Sequence, residues 1–232
     1  MLKPKFFSIF VIVLMVFSTM GGVSATITKD TKVVSGADPI VVDNPTVNKI
    51  QQVIDDANDN DTILIKGSTT DTGNINCNKI LTIKGENCTF NNVHWNCSKD
   101  IAFENISFKN CKSKWGGAID SKNGSVTVSN SSFVDNTADN QGGAICSANG
   151  SVIVSGSRFV CNYVDGICTS GGAICAGTGS VIVSGSSFVN NSACENGGAI
   201  YSWELASVSN SNILKSPPYS ICPSRLNNVC SP

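Results

Sequence analysis

From residue 62 onward the chain is a succession of short apolar and polar alternations. Val126 and Val128, Val152 and Val154, and Val181 and Val183 are spaced to share one side of a strand, with Thr127, Ile153 and Ile182 between them. Side chains of a strand alternate faces with a period of two, so each phrase predicts a half-buried strand. The phrases recur in step. Gly-Gly-Ala-Ile stands at Gly116, Gly142, Gly171 and Gly197, two equal intervals flanking a slightly longer one. Ser-Val-x-Val follows three of these copies, at Ser125, Ser151 and Ser180, and Phe-Val-x-Asn follows in turn at Phe133, Phe159 and Phe188. The stretch from the Phe-Val-x-Asn asparagine to the next glycine pair is equally long after Asn136 and Asn191, but longer after Asn162. The surplus therefore sits in one loop, 163–170, and the strand phrases keep their lengths.

A repeat of this length is one supersecondary unit that buries its apolar face only by stacking on copies of itself. Three short strands and three turns per repeat predict an all-β fold, a right-handed single-stranded parallel β-helix. About six coils over 62–214 make a rod on the order of 30 Å long. The earlier strands, 62–66, 80–84, 101–103 and 106–108, resemble the later repeats loosely, and 103–108 precedes the similar phrase 128–133 by about one repeat. The last repeat decays: Ile213 replaces the phenylalanine and no asparagine follows.

Upstream the period changes. Val47, Ile50, Val53, Ile54 and Ala57 recur at helical spacing after Asn44-Pro45, which reads as a helix start with Asn44 as the cap. The segment 44–61 is predicted as one amphipathic helix that covers the open first coil, since a bare solenoid end would pair with other chains. Before it, 26–43 is a lead-in with a strand-like piece at 39–42. Residues 1–25 read as a signal peptide, with Lys3 and Lys5, a short apolar run, and Val23-Ser24-Ala25 before the cleavage point. No later segment is apolar and long enough to span a membrane as a helix. The tail 215–232 carries Cys222 and Cys230 and can fold back as a small stapled cap.

Without the signal segment the formal charge is -3. Neither a basic face nor an Arg/Lys cluster is present, so nucleic acid is excluded as a partner. All 11 cysteines lie between Cys77 and Cys230, an odd number in a chain whose export permits oxidation. Their spacing contains no Cys-x-x-Cys and the chain has a single histidine, His94, so no zinc site is predicted. In register, Cys146 and Cys175 each follow an Ala-Ile, and Cys168 and Cys194 each stand at the same short distance before a glycine pair. Both pairs are candidate staples between neighbouring coils, or buried thiols.

The Gly-Gly-Ala-Ile and Phe-x-x-Asn pair resembles the repeats of the chlamydial polymorphic outer-membrane proteins. The layout of signal, helix and repeats also resembles the adhesin-like β-helix proteins of methanogenic archaea, over about 45–213. Two departures stand out: Cys111 occupies the first asparagine site, and the chain has no strand series for the translocation barrel of the chlamydial family. The resemblance implies a secreted or cell-surface, adhesin-like protein without catalysis, whose ligand is a polysaccharide or another cell. The fold alone does not establish this.

The residues themselves give each repeat element a structural task. The paired glycines serve backbone geometry, one at positive φ and one where the next coil approaches. Asn136, Asn162 and Asn191 form an amide ladder, and the phenylalanines stack in the core. Eight Asn-x-Ser/Thr triplets, at Asn60, Asn87, Asn96, Asn105, Asn123, Asn130, Asn149 and Asn190, are candidate glycan acceptors. The competing reading is a carbohydrate lyase or hydrolase, which needs paired carboxylates across a groove or acids around Ca²⁺. Asp100, Glu104, Asp120, Asp135, Asp139, Asp165, Glu195 and Glu204 are scattered along the repeats, with Asp135 and Asp139 the best pair. No catalytic, cofactor-binding or metal-ligating set is predicted. Trp95, Trp115, Tyr163, Tyr201 and Trp203 could bind sugar or pack, and the corner loop before each glycine pair is the candidate recognition surface.

Overall fold

The structure is a computed structural model and describes residues 38–166 and 169–215. The predicted signal segment and the tail from 216 lie outside the described residues. What is described is a parallel β-solenoid of about seven turns, against the expected six. Strand β1 (Ile40–Asp43) and helix α1 (Val47–Asp56) precede β2 (Asp61–Lys66), β3 (Gly73–Cys77), β4 (Leu81–Asn91) and β5 (Val93–Cys97). The next coil holds β6 (Ile101–Lys109), β7 (Lys112–Trp115) and β8 (Ile119–Ser121), and the one after it β9 (Val126–Ser129), β10 (Ser132–Val134), β11 (Thr137–Gln141) and β12 (Ile145–Ser147). The strands stack into a sheet of 12, a sheet of six and a corner sheet of three.

The coils come in two sizes. Asp61 pairs with Leu81 and Leu81 with Ile101, so the first two coils are equally short. From Ile101 the steps to Val126, Val152, Val181 and Ala206 are all longer, and the step from Val152 to Val181 is the longest. The added residues build the corner sheet, whose first strand is β7. Where three strands per repeat were expected, the coil of β9 to β12 has four, because the stretch between the ladder asparagine and the glycine pair is itself extended. In the narrow coil β4 and β5 are separated by Asn92 alone.

Two ladders run through the core of the wide coils. Phe108, Phe133, Phe159 and Phe188 stack with centroids 4.8, 4.7 and 4.7 Å apart. Below the first wide coil the column gives way to edge-on contacts of Trp95 with Phe90 in its own coil and with Phe103 in the next. Asn136, Asn162 and Asn191 are all fully buried, and each amide passes a hydrogen bond to the next: Asn136 Nδ2 donates to Asn162 Oδ1 and Asn162 Nδ2 to Asn191 Oδ1, both at 2.9 Å. The same oxygens accept backbone N–H groups, and that of Asn136 accepts from Cys111, which starts the column. A serine ladder absent from the sequence reading runs beside it, with Ser131, Ser157 and Ser186 N–H donating to the hydroxyls of Ser157, Ser186 and Ser211.

Helix α1 starts later than expected. Thr46, not Asn44, is the N-cap, its hydroxyl accepting from Lys49 N at 3.2 Å, and Asp71 receives Val47 N. Asn44 takes a left-handed φ of 49°, which no helical cap adopts, and turns the chain out of β1. The helix ends at the Ala57 cap, ahead of the expected stop in 58–61. Val47, Ile50 and Ile54 are buried against the first coil. Gln51 completes the cover: its Oε1 accepts Asn76 N at 2.8 Å and its Nε2 donates to Asn76 O at 3.0 Å, replacing a neighbouring strand at the free edge of β3. Gln51→Ala is expected to destabilise the protein by about 1 kcal/mol in urea unfolding, the net worth of a solvent-accessible hydrogen-bond pair. An unchanged unfolding midpoint would show that water serves the edge equally well.

Candidate interaction surface

The two glycines of each corner divide the work. The first takes a left-handed φ, 50° at Gly116, 63° at Gly142, 70° at Gly171 and 57° at Gly197, and a Cβ there would meet the carbonyl of the isoleucine in its own turn. The second is crossed by the next coil: a Cβ on Gly143 would lie 2.1 Å from Gly172 O and 2.6 Å from Tyr163 N. His94 fills the space beneath the first corner. Its Nδ1 faces Gly117 O at 3.1 Å, which only accepts, so Nδ1 carries a proton. Nε2 meets the Ser113 hydroxyl at 3.2 Å and Asn96 Oδ1 at 3.0 Å.

Outside the glycines lies the corner sheet. It pairs Lys112 with Thr137, Thr137 with Tyr163, and Trp115 with Gln141. Trp115 is 37% and Tyr163 42% exposed, large aromatics at the water boundary of a polar surface. Charge is graded along it: Lys112 and Lys114 are exposed in the first wide coil, and Asp139, Asp165 and Glu195 in the three that follow. Loop 163–170 carries the additional residues, as expected. The other predicted aromatics are elsewhere. Trp95 is fully buried in the core, while Tyr201 and Trp203 contact each other at 6.3 Å near the last turn, with Trp203 71% exposed.

Three of the carboxylates of the competing enzyme reading have individual structural roles. Asp100 accepts Ser125 N at 2.8 Å, and Glu104 pairs with Lys84 at 3.0 Å. Asp135 holds a left-handed turn with φ 55°, and partial burial raises its pKa. Asp120 is buried, which pushes its carboxyl above the usual range, with His94 and Lys122 drawing it back. A carboxylate penalised only in the folded state destabilises fully at neutral pH, and the penalty fades as pH falls through the raised pKa. Asp120→Asn is thus expected to raise the melting temperature by about 2–4 °C at pH 7, with the gain vanishing in acid. A gain independent of pH would refute the electrostatic origin. Among the described residues no group of three or more His, Cys, Asp or Glu side chains is placed to hold a metal ion.

Cys146 and Cys175 oppose each other in register, as predicted, but as free thiols rather than a staple. Cys168 lies outside the described residues, and Cys194 is not a free thiol. A second register pair, Cys77 and Cys97, escaped sequence reading because the narrow coils lack the glycine signal that aligns the others. Seven of the eight triplet asparagines are exposed and Asn96 is half-buried. A shallow groove of about 270 Å³ beside α1, lined by Gln51, Asp55, Asn76, Asn96 and Lys122 among others, also escaped it.

These features define a class: a β-solenoid of stacked repeats whose interior is given to ladders and whose variation is concentrated at one corner. The Chlamydia polymorphic membrane protein repeat model matches the chain twice, at residues 130–148 and 185–202, each match running from a left-handed turn through the phenylalanine and asparagine to the glycine corner. No curated protein and no solved structure matches the chain. Among the described residues no helix is long and apolar enough to cross a membrane.

Proposed function

We propose that the protein is exported and acts at the cell surface as a non-catalytic, adhesin-like rod, binding a polysaccharide or another cell through the corner sheet. The two repeat matches carry this reading, because the family they point to consists of membrane proteins of the surface type. The corner supports it physically. Its glycines and ladders hold the backbone rigid, while Trp115, Tyr163 and the graded charges stand outward on it. Exposed aromatic rings on a rigid polar surface stack on sugar faces at little entropic cost.

Fractionation into cells, envelope and medium tests export, and retention in the cytoplasm would refute it. Binding of the purified protein to whole cells and to immobilised polysaccharides tests the surface. Trp115→Ala and Tyr163→Ala should each weaken binding about tenfold or more, the effect of losing roughly 1.4 kcal/mol of aromatic contact. Trp203→Ala, outside the corner sheet, should leave it unchanged. Turnover of pectin, alginate or pseudomurein, with or without Ca²⁺, would replace this reading with the enzymatic one.

A further inference from the structure

The six-stranded sheet carries a column of side chains that neither the ladders nor the corner uses. Asn96, Asp120, Cys146, Cys175 and Tyr201 oppose one another in successive coils. We propose that Cys146 and Cys175 form a two-coordinate site for a soft monovalent ion, Cu(I) being the natural occupant.

Both thiols are free and buried, at 3% and 0% exposure, and each is the other's register partner. Side-chain direction decides what such a pair can do. Equivalent residues on parallel strands stand about 4.8 Å apart with their side chains alongside, whereas a disulfide draws the Cβ atoms to about 3.5–4.5 Å and the sulfurs to about 2 Å. Two thiolates on opposite sides of one ion need sulfurs about 4.5 Å apart, twice a metal–sulfur bond of roughly 2.3 Å. The strand spacing of about 4.8 Å is close to that separation, so side-chain rotation alone can set it. An all-sulfur pair selects a soft ion, and the absence of any cluster of three or more ligating groups among the described residues disfavours four-coordinate zinc.

Binding is a simple exchange: two S–H groups release two protons, and the ion with two thiolates carries one net negative charge. The surroundings set the cost of that exchange. The neighbouring Cys175 thiol, burial and Asp120, one coil away, all hold the Cys146 proton more tightly, and Lys122 offsets part of the Asp120 charge. Gln141 Oε1 stands 3.5 Å from the Cys175 sulfur and accepts its proton. Once that proton leaves, rotation of the amide presents N–H donors to the thiolate instead.

Full-length protein, reduced and kept free of oxygen, can be titrated with Cu(I) against a chromophoric Cu(I) chelator. The wild type is expected to withhold one equivalent that Cys146→Ser and Cys175→Ser each lose and Cys97→Ser keeps. The second register pair is the control because the Cys77 thiol donates to Lys79 O at 3.4 Å rather than across to Cys97. Binding unchanged in Cys146→Ser and Cys175→Ser overturns the site, as does its loss in Cys97→Ser alone. Should either serine variant melt early, the wild type still decides: one equivalent of Ag(I) must shield the peptides of Cys146 and Cys175 from alkylation in urea. Equal labelling with and without silver overturns the proposal. So does ready formation of a Cys146–Cys175 disulfide by diamide in the native protein, since it would show that the sulfurs close the gap.

Discussion

Gly143→Ala is expected to abolish folding of the wide coils. A Cβ at this position would stand 2.1 Å from Gly172 O and within 2.7 Å of two Tyr163 backbone atoms, and no flexible side chain is there to yield. Relief requires parting two coils that share sheet hydrogen bonds and the aromatic stack, so the loss should exceed about 4 kcal/mol. Circular dichroism on heating would register it as a missing or strongly lowered transition. The comparison is Gly185→Asn. Gly185 is also left-handed, at φ 54°, but a Cβ there would meet nothing nearer than Gly156 N at 3.9 Å, an ordinary contact, and Asn105, Asn130 and Asn210 hold the equivalent turns at φ 58°, 49° and 47°. That substitution should change stability by no more than about 0.5 kcal/mol. A Gly143→Ala protein as stable as Gly185→Asn would mean that the coils are not in contact at the corner.

The second large effect is expected at Asn162. Its Oδ1 accepts from Asn136 N and Nδ2 at 3.1 and 2.9 Å, and its Nδ2 donates to Phe133 O at 3.0 Å and Asn191 Oδ1 at 2.9 Å. Asn162→Ala leaves several of these groups buried without a partner in a dry interior. Each unsatisfied group costs about 1–3 kcal/mol, so a total of about 3–5 kcal/mol follows after local relaxation. Thr127→Ala, on the exposed side of its strand, should cost less than about 0.5 kcal/mol. Equal unfolding midpoints for the two variants would dismiss the ladder as a source of stability.

The wide coils could be read from the amino acids because each of their devices demands one residue type at one place. Only glycine fits Gly142 and Gly143, and asparagine supplies both a donor and an acceptor to the next coil. The narrow coils make no such demand. Their side chains fill a smaller cross-section with Trp95 edge-on to Phe90, an arrangement many apolar sequences satisfy, so their shorter step leaves no visible period. The start of α1 is hard to read for a related reason: Asn44 and Thr46 are both good caps, and the choice between them depends on how β1 pairs with β2. At the corner, the alignment of Cys146 with Cys175 followed from spacing, but the state of the pair turned on side-chain direction, which spacing does not carry. The column that adds Asp120 and Tyr201 to it needed the strand register.

The ladders have one more consequence, which concerns length. The three coils that begin at Val126, Val152 and Val181 carry the same asparagine, serine and phenylalanine in register, so they are interchangeable parts. Duplicating residues 126–151 in place would insert one more layer and extend the rod by about 4.8 Å, leaving the helix at one end and the last turn at the other untouched. The length of the rod is then a property set by copy number, open to change by simple tandem duplication, while the corner of each added layer is free to diverge.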